Sequence, residues 1–490
     1  MSKDVKVTRI SPQLLVALLA AWALLLFRLG APWVGHQDEN GAWMSTAIRN
    51  FQQVGFGTLN GMIVLNTVPF DADAPYTPYV NHPPLPVWLP TAFVLAIGYD
   101  EAIVRFVFAC TTLISFAVLY TLTRRLFDQQ TALWAVVLYA FTPMIAYFGR
   151  MPDHEAPALL LLLLFTLALL RWRRRPLAAR WGVAAVLMVL IAWTAWGGLI
   201  VAGMLCSALF IGGNRRAALG LIGVATAAVI GLMAYYIINY PDTMSTIIDS
   251  FSLRSSDQSF RAGSESFTWI GYSARMGVRW LTLFTPGTFF LALLGAVWLA
   301  RRDHQARAWI FAWLVGGLIF IIIFRNGSYV HDYYLIYTFP PLAILAAARL
   351  TRRGARWLRP VLGGLVVTVP IGLIIYLGSL YSGTEQTDPL NVAAVIQAKT
   401  EPDDLIISSL PTVGIAIEFY AQRKIWWGVA PEFALEWVAE QIIDGQRAYY
   451  FYCGETPLLP LSEPTPVIEG CTIAEISTSS AELLQSSDPQ

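Results

Sequence analysis

Long apolar segments, separated by short basic loops, occupy the first 384 residues of this 490-residue chain. A helix needs about 20 apolar residues to cross the hydrocarbon core of a bilayer. Segments close to that length occur at 12–29, 102–123, 131–148, 159–170 with its flanks, 181–197, 198–212, 218–238, 281–300, 308–324, 334–348 and 361–381. The pattern predicts an all-α polytopic membrane domain over residues 1–384, with about 11 transmembrane helices.

One further apolar segment, residues 84–98, has a proline-rich start and is only about 15 residues long, too short for a span. If it does not cross, every basic cluster falls on one side of the membrane, namely 124–125, 171–175, 215–216, 301–302 and 349–359. The positive-inside rule makes that side cytoplasmic, together with the N-terminus. Loops 31–100, 149–155 and 239–280 are then external, and the protein is predicted to lie in the cytoplasmic membrane.

The composition agrees with a membrane protein and excludes a nucleic-acid partner. Hydrophobic residues make up 56% of the chain and charged residues 13%, whereas a soluble protein carries about 25% charged residues. The chain has neither a basic domain nor a recognisable nucleic-acid-binding motif. Membrane lipids are therefore the expected surroundings of residues 1–384.

The tail, residues 385–490, is acidic, with 16 Asp and Glu against 4 Lys and Arg. Short strand patterns at 405–408 and 448–453 and helical patterns at 391–398 and 431–443 predict a small extracytoplasmic α/β domain. Cys453 and Cys471 could form a disulfide there if the tail is external, and two free thiols are an equally weighted alternative.

Two acidic clusters lie at external span ends. Asp38 and Glu39 follow the first span, and Asp153 and Glu155 follow the third, together with Arg150. Interfacial acids that simply reach water are one interpretation. Carboxylates at membrane depth are nevertheless functional candidates, and two such clusters could divide the roles of general base and substrate or cation ligand.

Several other external polar residues are candidates for substrate binding. His82 precedes the short apolar segment, and His154 lies inside the second acidic cluster. Arg325, His331 and Tyr333 surround the start of a later span, and Arg254 is one of four arginines in loop 239–280, with Arg261, Arg275 and Arg279. Cationic side chains there could bind a lipid phosphate, although an aromatic belt with polar flanks is an equal alternative. His36, His82 and His154 lack metal-ligand spacing, so a structural zinc site is not predicted.

These motifs, in this order, resemble those of one family. They are an acidic pair after the first span, His82 heading a proline-rich segment, an Arg-x-x-Asp-x-Glu cluster at 150–155, and His331 followed by Asp332 and two tyrosines. The chain resembles the polytopic glycosyltransferases of the C-type fold, which include protein O-mannosyltransferases, lipid A aminoarabinose transferases and bacterial relatives. The likeness covers about residues 10–350 and is strongest over about 30–175.

The resemblance implies a catalytic base at Asp38, supported by Glu39, and a second acid at Glu155 or alternatively Asp153. It also implies a polyprenyl-phosphate sugar donor displaced with inversion, no divalent metal and no other cofactor. The expected function is therefore sugar transfer to an acceptor outside the cytoplasm. A transporter or flippase of lipid-linked glycans is the alternative, and a scaffold or receptor is a third possibility. The sugar stays open, as does the acceptor, which could be a protein Ser or Thr, a lipid A-like phosphate, a wall polymer or another lipid-linked glycan.

Overall fold

The structure is a computed structural model. It describes residues 11–476 except 68–75, 77, 258–267, 303, 353–357, 383–387, 409, 411–413, 430–446, 454–460, 462–463 and 469. The predicted helix at 431–443 and Arg261 lie outside the described residues.

The described part of residues 1–384 is helical. Its α-helices are α1 Pro12–Leu26, α2 Glu39–Gln53, α3 Leu85–Ile97, α4 Glu101–Leu126, α5 Gln129–Ala140, α6 Pro143–Phe148, α7 Glu155–Arg174, α8 Ala178–Ala192, α9 Trp196–Ile211, α10 Arg215–Asn239, α11 Thr243–Ser255, α12 Trp269–Leu283, α13 Pro286–Ala300, α14 Arg307–Ile323, α15 Arg325–Val330, α16 Phe339–Thr351 and α17 Leu358–Ser382. A 3-10 helix, Asp332–Thr338, leads directly into α16.

Local sequence explains where several of these helices begin. Ser11 caps α1 by accepting a hydrogen bond from the Leu14 amide, and proline follows at the first helical position. Asp100 accepts the Ala102 amide at the start of α4, and Asp128 accepts the Thr131 amide at the start of α5. Such caps satisfy amides that have no partner within the helix.

Five helical stretches are long and apolar enough to span a membrane: Glu101–Leu126, Glu155–Arg174, Arg215–Asn239, Asp332–Thr351 and Pro360–Tyr381. Counting α12 and α13 together as one bent span gives six. Four shorter apolar helices, α1, α8, α9 and α14, coincide with further predicted spans. The chain is thus a helical membrane protein, and the count of eleven spans stays a prediction. Helix α3 has 13 residues, about 20 Å at 1.5 Å per residue, which is too short to cross a bilayer unaided.

Two predicted spans are interrupted. The predicted start of the span at 281–300 was wrong. Helices α12 and α13 meet at an angle of 106°, and α13 begins only at Pro286. Proline cannot donate the amide hydrogen bond that would continue α12. The segment predicted at 131–148 breaks between α5 and α6, where Pro143 opens the second helix. The segment 239–280, predicted as a loop, contains helix α11 and most of helix α12.

The tail contains the predicted sheet. Helices α18 Asp388–Lys399 and α19 Ile415–Ala421 accompany strands β1 Leu405–Ser408, β2 Ile425–Trp427, β3 Ala448–Cys453, β4 Thr465–Ile468 and β5 Cys471–Glu475. Their order in the sheet is β2-β1-β3-β5-β4, with β1 parallel to both neighbours and β5 antiparallel to both of its own. Cys453 and Cys471 form a disulfide between β3 and β5, which resolves the pairing that the sequence left open.

Candidate active site

Asp38 lies immediately before α2, at the end of the loop that follows α1. Its Oδ2 accepts a hydrogen bond from the Gly35 amide at 3.1 Å and another from the Arg105 guanidinium at 3.2 Å. Among the described residues no hydrogen bond reaches Oδ1, so that oxygen is the one available to take a proton. Burial raises the pKa of Asp38 above its ordinary value, and the positive charges of Arg105 and Arg150 only partly oppose this. The carboxylate is therefore a stronger base than an exposed aspartate.

Arg105 holds the loop that carries Asp38. It is on α4, its side chain is only 4% exposed, and it donates to the carbonyl oxygen of Leu29 at 2.8 Å and to that of Ala31. Its guanidinium also lies 3.7 Å from the centre of the Trp33 ring. A buried arginine that binds a carboxylate, backbone carbonyls and an aromatic face fixes all three relative to one another.

The second acidic cluster meets the first through Asn40, in the first turn of α2. The Asn40 side-chain amide donates to Oδ2 of Asp153 at 2.8 Å. Oδ1 of Asp153 accepts the His154 amide at 2.7 Å and lies 3.0 Å from Nδ1 of the same imidazole. Burial alone acts to raise the pKa of Asp153, but hydrogen bonds with His154 and the neighbouring Glu155 carboxyl outweigh it and hold that pKa below its ordinary value.

Stacked rings surround this second cluster. Four rings form a closed group: His154 stacks on Trp43 at 5.6 Å between centroids and on His82 at 4.3 Å. Tyr79 completes the group at 5.9 Å from His82 and 5.2 Å from Trp43. Burial, together with the neighbouring His154 and Arg254, lowers the pKa of His82 well below its ordinary value. His82 is therefore neutral at pH 7, and the stack presents flat, partly polar faces of the kind that contact sugar rings.

The third predicted cluster joins the same site. Nε2 of His36 lies 2.9 Å from Oδ2 of Asp332, and Nδ1 of His331 lies 3.0 Å from the side-chain oxygen of Gln37. The Tyr333 ring packs 5.9 Å from Phe148, next to the second acidic cluster. Burial lowers the pKa of His331 to about 4, so this imidazole is neutral at pH 7 and cannot supply the positive charge that its predicted phosphate contact assumed.

The arginines divide into two groups. Arg150 donates to the Tyr381 hydroxyl at 2.7 Å and is close enough to Asp38 to lower its pKa. Arg254 hydrogen-bonds with the Tyr79 hydroxyl and so lies inside the site. Arg325, by contrast, forms an ion pair with Asp257.

The other two described arginines of loop 239–280 are engaged elsewhere. Arg275 lies over the ring of Tyr329, and Arg279 donates to backbone carbonyl groups of residues 328 and 330. Glu39, the predicted supporting acid, lies on the exposed side of the first turn of α2. Among these predicted residues, Arg150 thus brings positive charge to Asp38, and Arg254 brings it to the neighbourhood of Tyr79 and His82.

Several buried polar atoms of the site have no hydrogen-bond partner among the described residues. They are Nη1 of Arg150, Nε2 of His154, Oε2 of Glu155, Nε of Arg254 and Oδ1 of Asp332. Buried polar atoms in folded proteins are nearly always paired, and exceptions need an explanation. Two cationic donors and two carboxylate oxygens left unpaired around these clusters match a site that is completed by a charged, polar ligand.

Asp153, His154 and Glu155 are also the group that could hold a metal ion. One ligand atom from each lies within 4.8 Å of the others, and all three residues are buried. Carboxylate and imidazole atoms suit several divalent cations. Asp153 nevertheless already accepts hydrogen bonds on both oxygens, so a cation would compete with Asn40 or the His154 amide.

Sequence reasoning missed Arg105 and Asn40, whose side chains hydrogen-bond with Asp38 and Asp153 respectively. Arg105 lies near the start of a predicted span, and an ionisable residue within a span is itself a signal of function. Asn40 carried no such signal, because an uncharged amide at the start of a helix is ordinary.

Comparisons with known proteins agree with the fold. A family model described as dolichyl-phosphate-mannose-protein mannosyltransferase matches residues 81–238. The crystal structure of ArnT from Cupriavidus metallidurans bound to undecaprenyl phosphate is similar with a TM-score of 0.66 and 14% identity, covering 95% of this chain and 98% of that one. No curated protein sequence matches the chain.

Two further solved structures are similar. The oligosaccharyltransferase AglB from Archaeoglobus fulgidus, in complex with an inhibitory peptide and a dolichol-phosphate, has a TM-score of 0.58 and 15% identity, covering 90% of this chain and 69% of that one. The arabinofuranosyltransferase AftD from Mycobacteria has a TM-score of 0.53 and 14% identity, covering 96% of this chain and 40% of that one. The resemblance to polytopic glycosyltransferases of the C-type fold is therefore confirmed.

Proposed function

We propose that this protein is an inverting glycosyltransferase that moves a sugar from a polyprenyl-phosphate donor to an acceptor on the extracytoplasmic side of the membrane. The observation that carries the proposal is a largely buried, hydrogen-bonded Asp38 with the Arg150 charge beside it. Arg150 has an unpaired donor, as does Arg254, which lies beside His82 and Tyr79. The fold shared with a structure bound to undecaprenyl phosphate and another bound to a dolichol-phosphate supports a lipid-linked donor.

In the proposed reaction, Oδ1 of Asp38 takes the proton of an acceptor hydroxyl as that oxygen attacks the anomeric carbon. The new carbon–oxygen bond forms on the face opposite to the leaving group, and the bond to the phosphate oxygen breaks. The electron pair stays on the leaving polyprenyl phosphate, whose charge Arg150 and Arg254 stabilise. The rings of Trp43 and His82, which both stack on His154, orient the sugar.

The test is transfer from labelled polyprenyl-phosphate sugars in membranes, comparing the unaltered protein with Asp38→Asn. This change keeps the size of the side chain and removes the base, so we expect transfer to fall by about a hundredfold or more while donor binding is retained. Asp100→Asn is the matched control, since Asp100 caps α4 and asparagine caps nearly as well. Equal transfer by the Asp38→Asn variant and the unaltered protein would place the base elsewhere.

We propose further that transfer needs no divalent cation, because the two arginines supply the charge for the leaving phosphate. Transfer is expected to persist after EDTA treatment. Loss of activity in EDTA, restored by Mg²⁺ or Mn²⁺ in the unaltered protein but not in Glu155→Gln, would contradict this and would assign a cation to residues 153–155.

A further inference from the structure

A second cluster of cationic side chains lies far from the carboxylates, around a cavity of about 510 Å³. We call it the arginine cavity. It is lined by Arg125, Ala168, Arg171, Arg174, Arg175, Arg180 and Val183.

Helix α7 fixes the position of the arginine cavity relative to the candidate active site. The helix begins at Glu155 and ends at Arg174, and 20 residues at 1.5 Å per residue extend about 30 Å. That length is close to the thickness of the hydrocarbon core. The cavity therefore lies one membrane thickness from Glu155, near the headgroup level of the opposite face, and cannot be part of the proposed transfer site.

The charge of the arginine cavity is not balanced by the protein. All the charged lining residues are arginines, and within the described part of the chain none of them forms an ion pair with an acidic side chain. Helix dipoles account for some of this charge, because the last turns of α4 and α7 favour cations. Arg180 also donates to the carbonyl oxygen of Arg171, in the last turn of α7, at 3.2 Å and to that of Arg175, just after the helix, at 3.4 Å.

Capping does not explain why the other guanidinium groups converge on one cavity with an apolar part. Ala168 and Val183 supply apolar surface beside the arginines. A site of this kind matches an amphiphile whose phosphate pairs with arginines while its glycerol and first methylene groups contact the apolar part. A free phosphate ion would use the arginines but gain nothing from Ala168 and Val183.

We infer that the arginine cavity binds the phosphate headgroup of an anionic phospholipid in the leaflet opposite to the active site. This is a binding site separate from sugar transfer, and it does not depend on the proposed function. The lipid would neutralise a concentration of positive charge that otherwise repels itself at the junction of α4, α7 and α8.

The test uses the full-length protein, purified and stripped of lipid, with native mass spectrometry to count bound molecules. Dioctanoyl phosphatidylglycerol is expected to bind at least tenfold more tightly than dioctanoyl phosphatidylcholine. In the double variant Arg171→Gln with Arg174→Gln, affinity for phosphatidylglycerol is expected to fall by tenfold or more. Both side chains are exposed, so the folded structure tolerates the change.

The matched control is Arg301→Gln with Arg302→Gln, which removes the same charge from two exposed arginines that do not line the cavity. Unchanged affinity in this control supports a defined site. An equal loss in both double variants would reduce the effect to general surface charge and overturn the proposal. Displacement of phosphatidylglycerol by inorganic phosphate at equal concentration would overturn the lipid as ligand and indicate a free-anion site instead.

Discussion

At the scale of single residues, the basicity of Asp38 depends on two opposing influences. Burial raises its pKa, and the charge of Arg105, at 3.2 Å from Oδ2, lowers it. The proposed base works only when it is deprotonated, so transfer falls at acid pH. Because the net shift is upward, this fall is expected above the ordinary aspartate pKa of 3.8.

Replacing Arg105 should move the acid limb of the pH–rate profile. Arg105→Gln removes a positive charge beside Asp38 and leaves the burial, so the pKa of the base rises and the limb of kcat/KM moves to higher pH. Transfer at pH 7 is expected to fall at least tenfold, since the loop also loses its anchor. Arg105→Lys keeps the charge and should leave the limb closer to that of the unaltered protein. The same acid limb in all three proteins would show that Arg105 does not influence the pKa of the base.

The residue scale also shows what sequence reasoning could reach. Asp38 and Asp153 were identifiable because charged residues at span ends stand out against an apolar background. Arg105 and Asn40 were not identified, because their importance comes from contacts between segments 67 and 113 residues apart. No local pattern contains such contacts.

At the scale of elements, helix α19 of the tail directly contacts the loop that carries Asp38. The Tyr420 hydroxyl accepts the Trp33 amide at 2.7 Å and donates to Glu101 at 3.2 Å. On the neighbouring residue, Phe419, the carbonyl oxygen accepts from Arg49 of α2 at 3.1 Å, and the ring lies 3.7 Å from the same guanidinium. The tail thus supports both the loop before Asp38 and the helix after it.

Removing one hydroxyl group tests this support. Tyr420→Phe leaves the ring in place and deletes the hydrogen bonds to Glu101 and to Trp33, of which the second holds the loop before Asp38. Each deletion is a net loss of about 1 kcal/mol. If the bond to Trp33 positions Asp38, kcat falls roughly three- to tenfold while the KM for the donor changes little. Tyr452→Phe, in the buried face of β3, is the control in the same domain. Equal kcat values for the two variants would limit α19 to a structural contact.

The elements themselves were predictable to different degrees. Strands β1 and β3 fall at the predicted residues, because a short, continuous run of apolar and aromatic side chains is a local signature of a buried strand. The bend between α12 and α13 was not predicted, because residues 281–300 are apolar on both sides of it. Hydropathy alone does not show where a helix changes direction. Pro286 was the available signal, since proline favours a helix start.

At the scale of the whole molecule, the orientation decides whether the proposed chemistry can occur. The predicted odd number of spans, with α3 not crossing, would place the Asp38 loop and the tail on the same external side. The proposed transfer would need a lipid-borne donor there, because nucleotide sugars are cytoplasmic. If α3 crossed, everything after it would be inverted. The carboxylates of residues 38 and 153 would then face opposite sides, yet Asn40 joins them within hydrogen-bond distance. The contact therefore favours the orientation that the basic loops predict.

Cysteine labelling in intact cells tests that orientation at the two ends of α10. In a background with Cys110→Ala and Cys206→Ala, Asp242→Cys follows the helix and Asn214→Cys precedes it. An impermeant maleimide is expected to label Asp242→Cys without permeabilisation and Asn214→Cys only after it. The reverse result would mean that an additional segment, with α3 the first candidate, crosses the membrane, and the external active site would have to be abandoned. Asp403→Cys, in the tail, should be labelled under the same conditions as Asp242→Cys, because an even number of predicted spans separates the two positions.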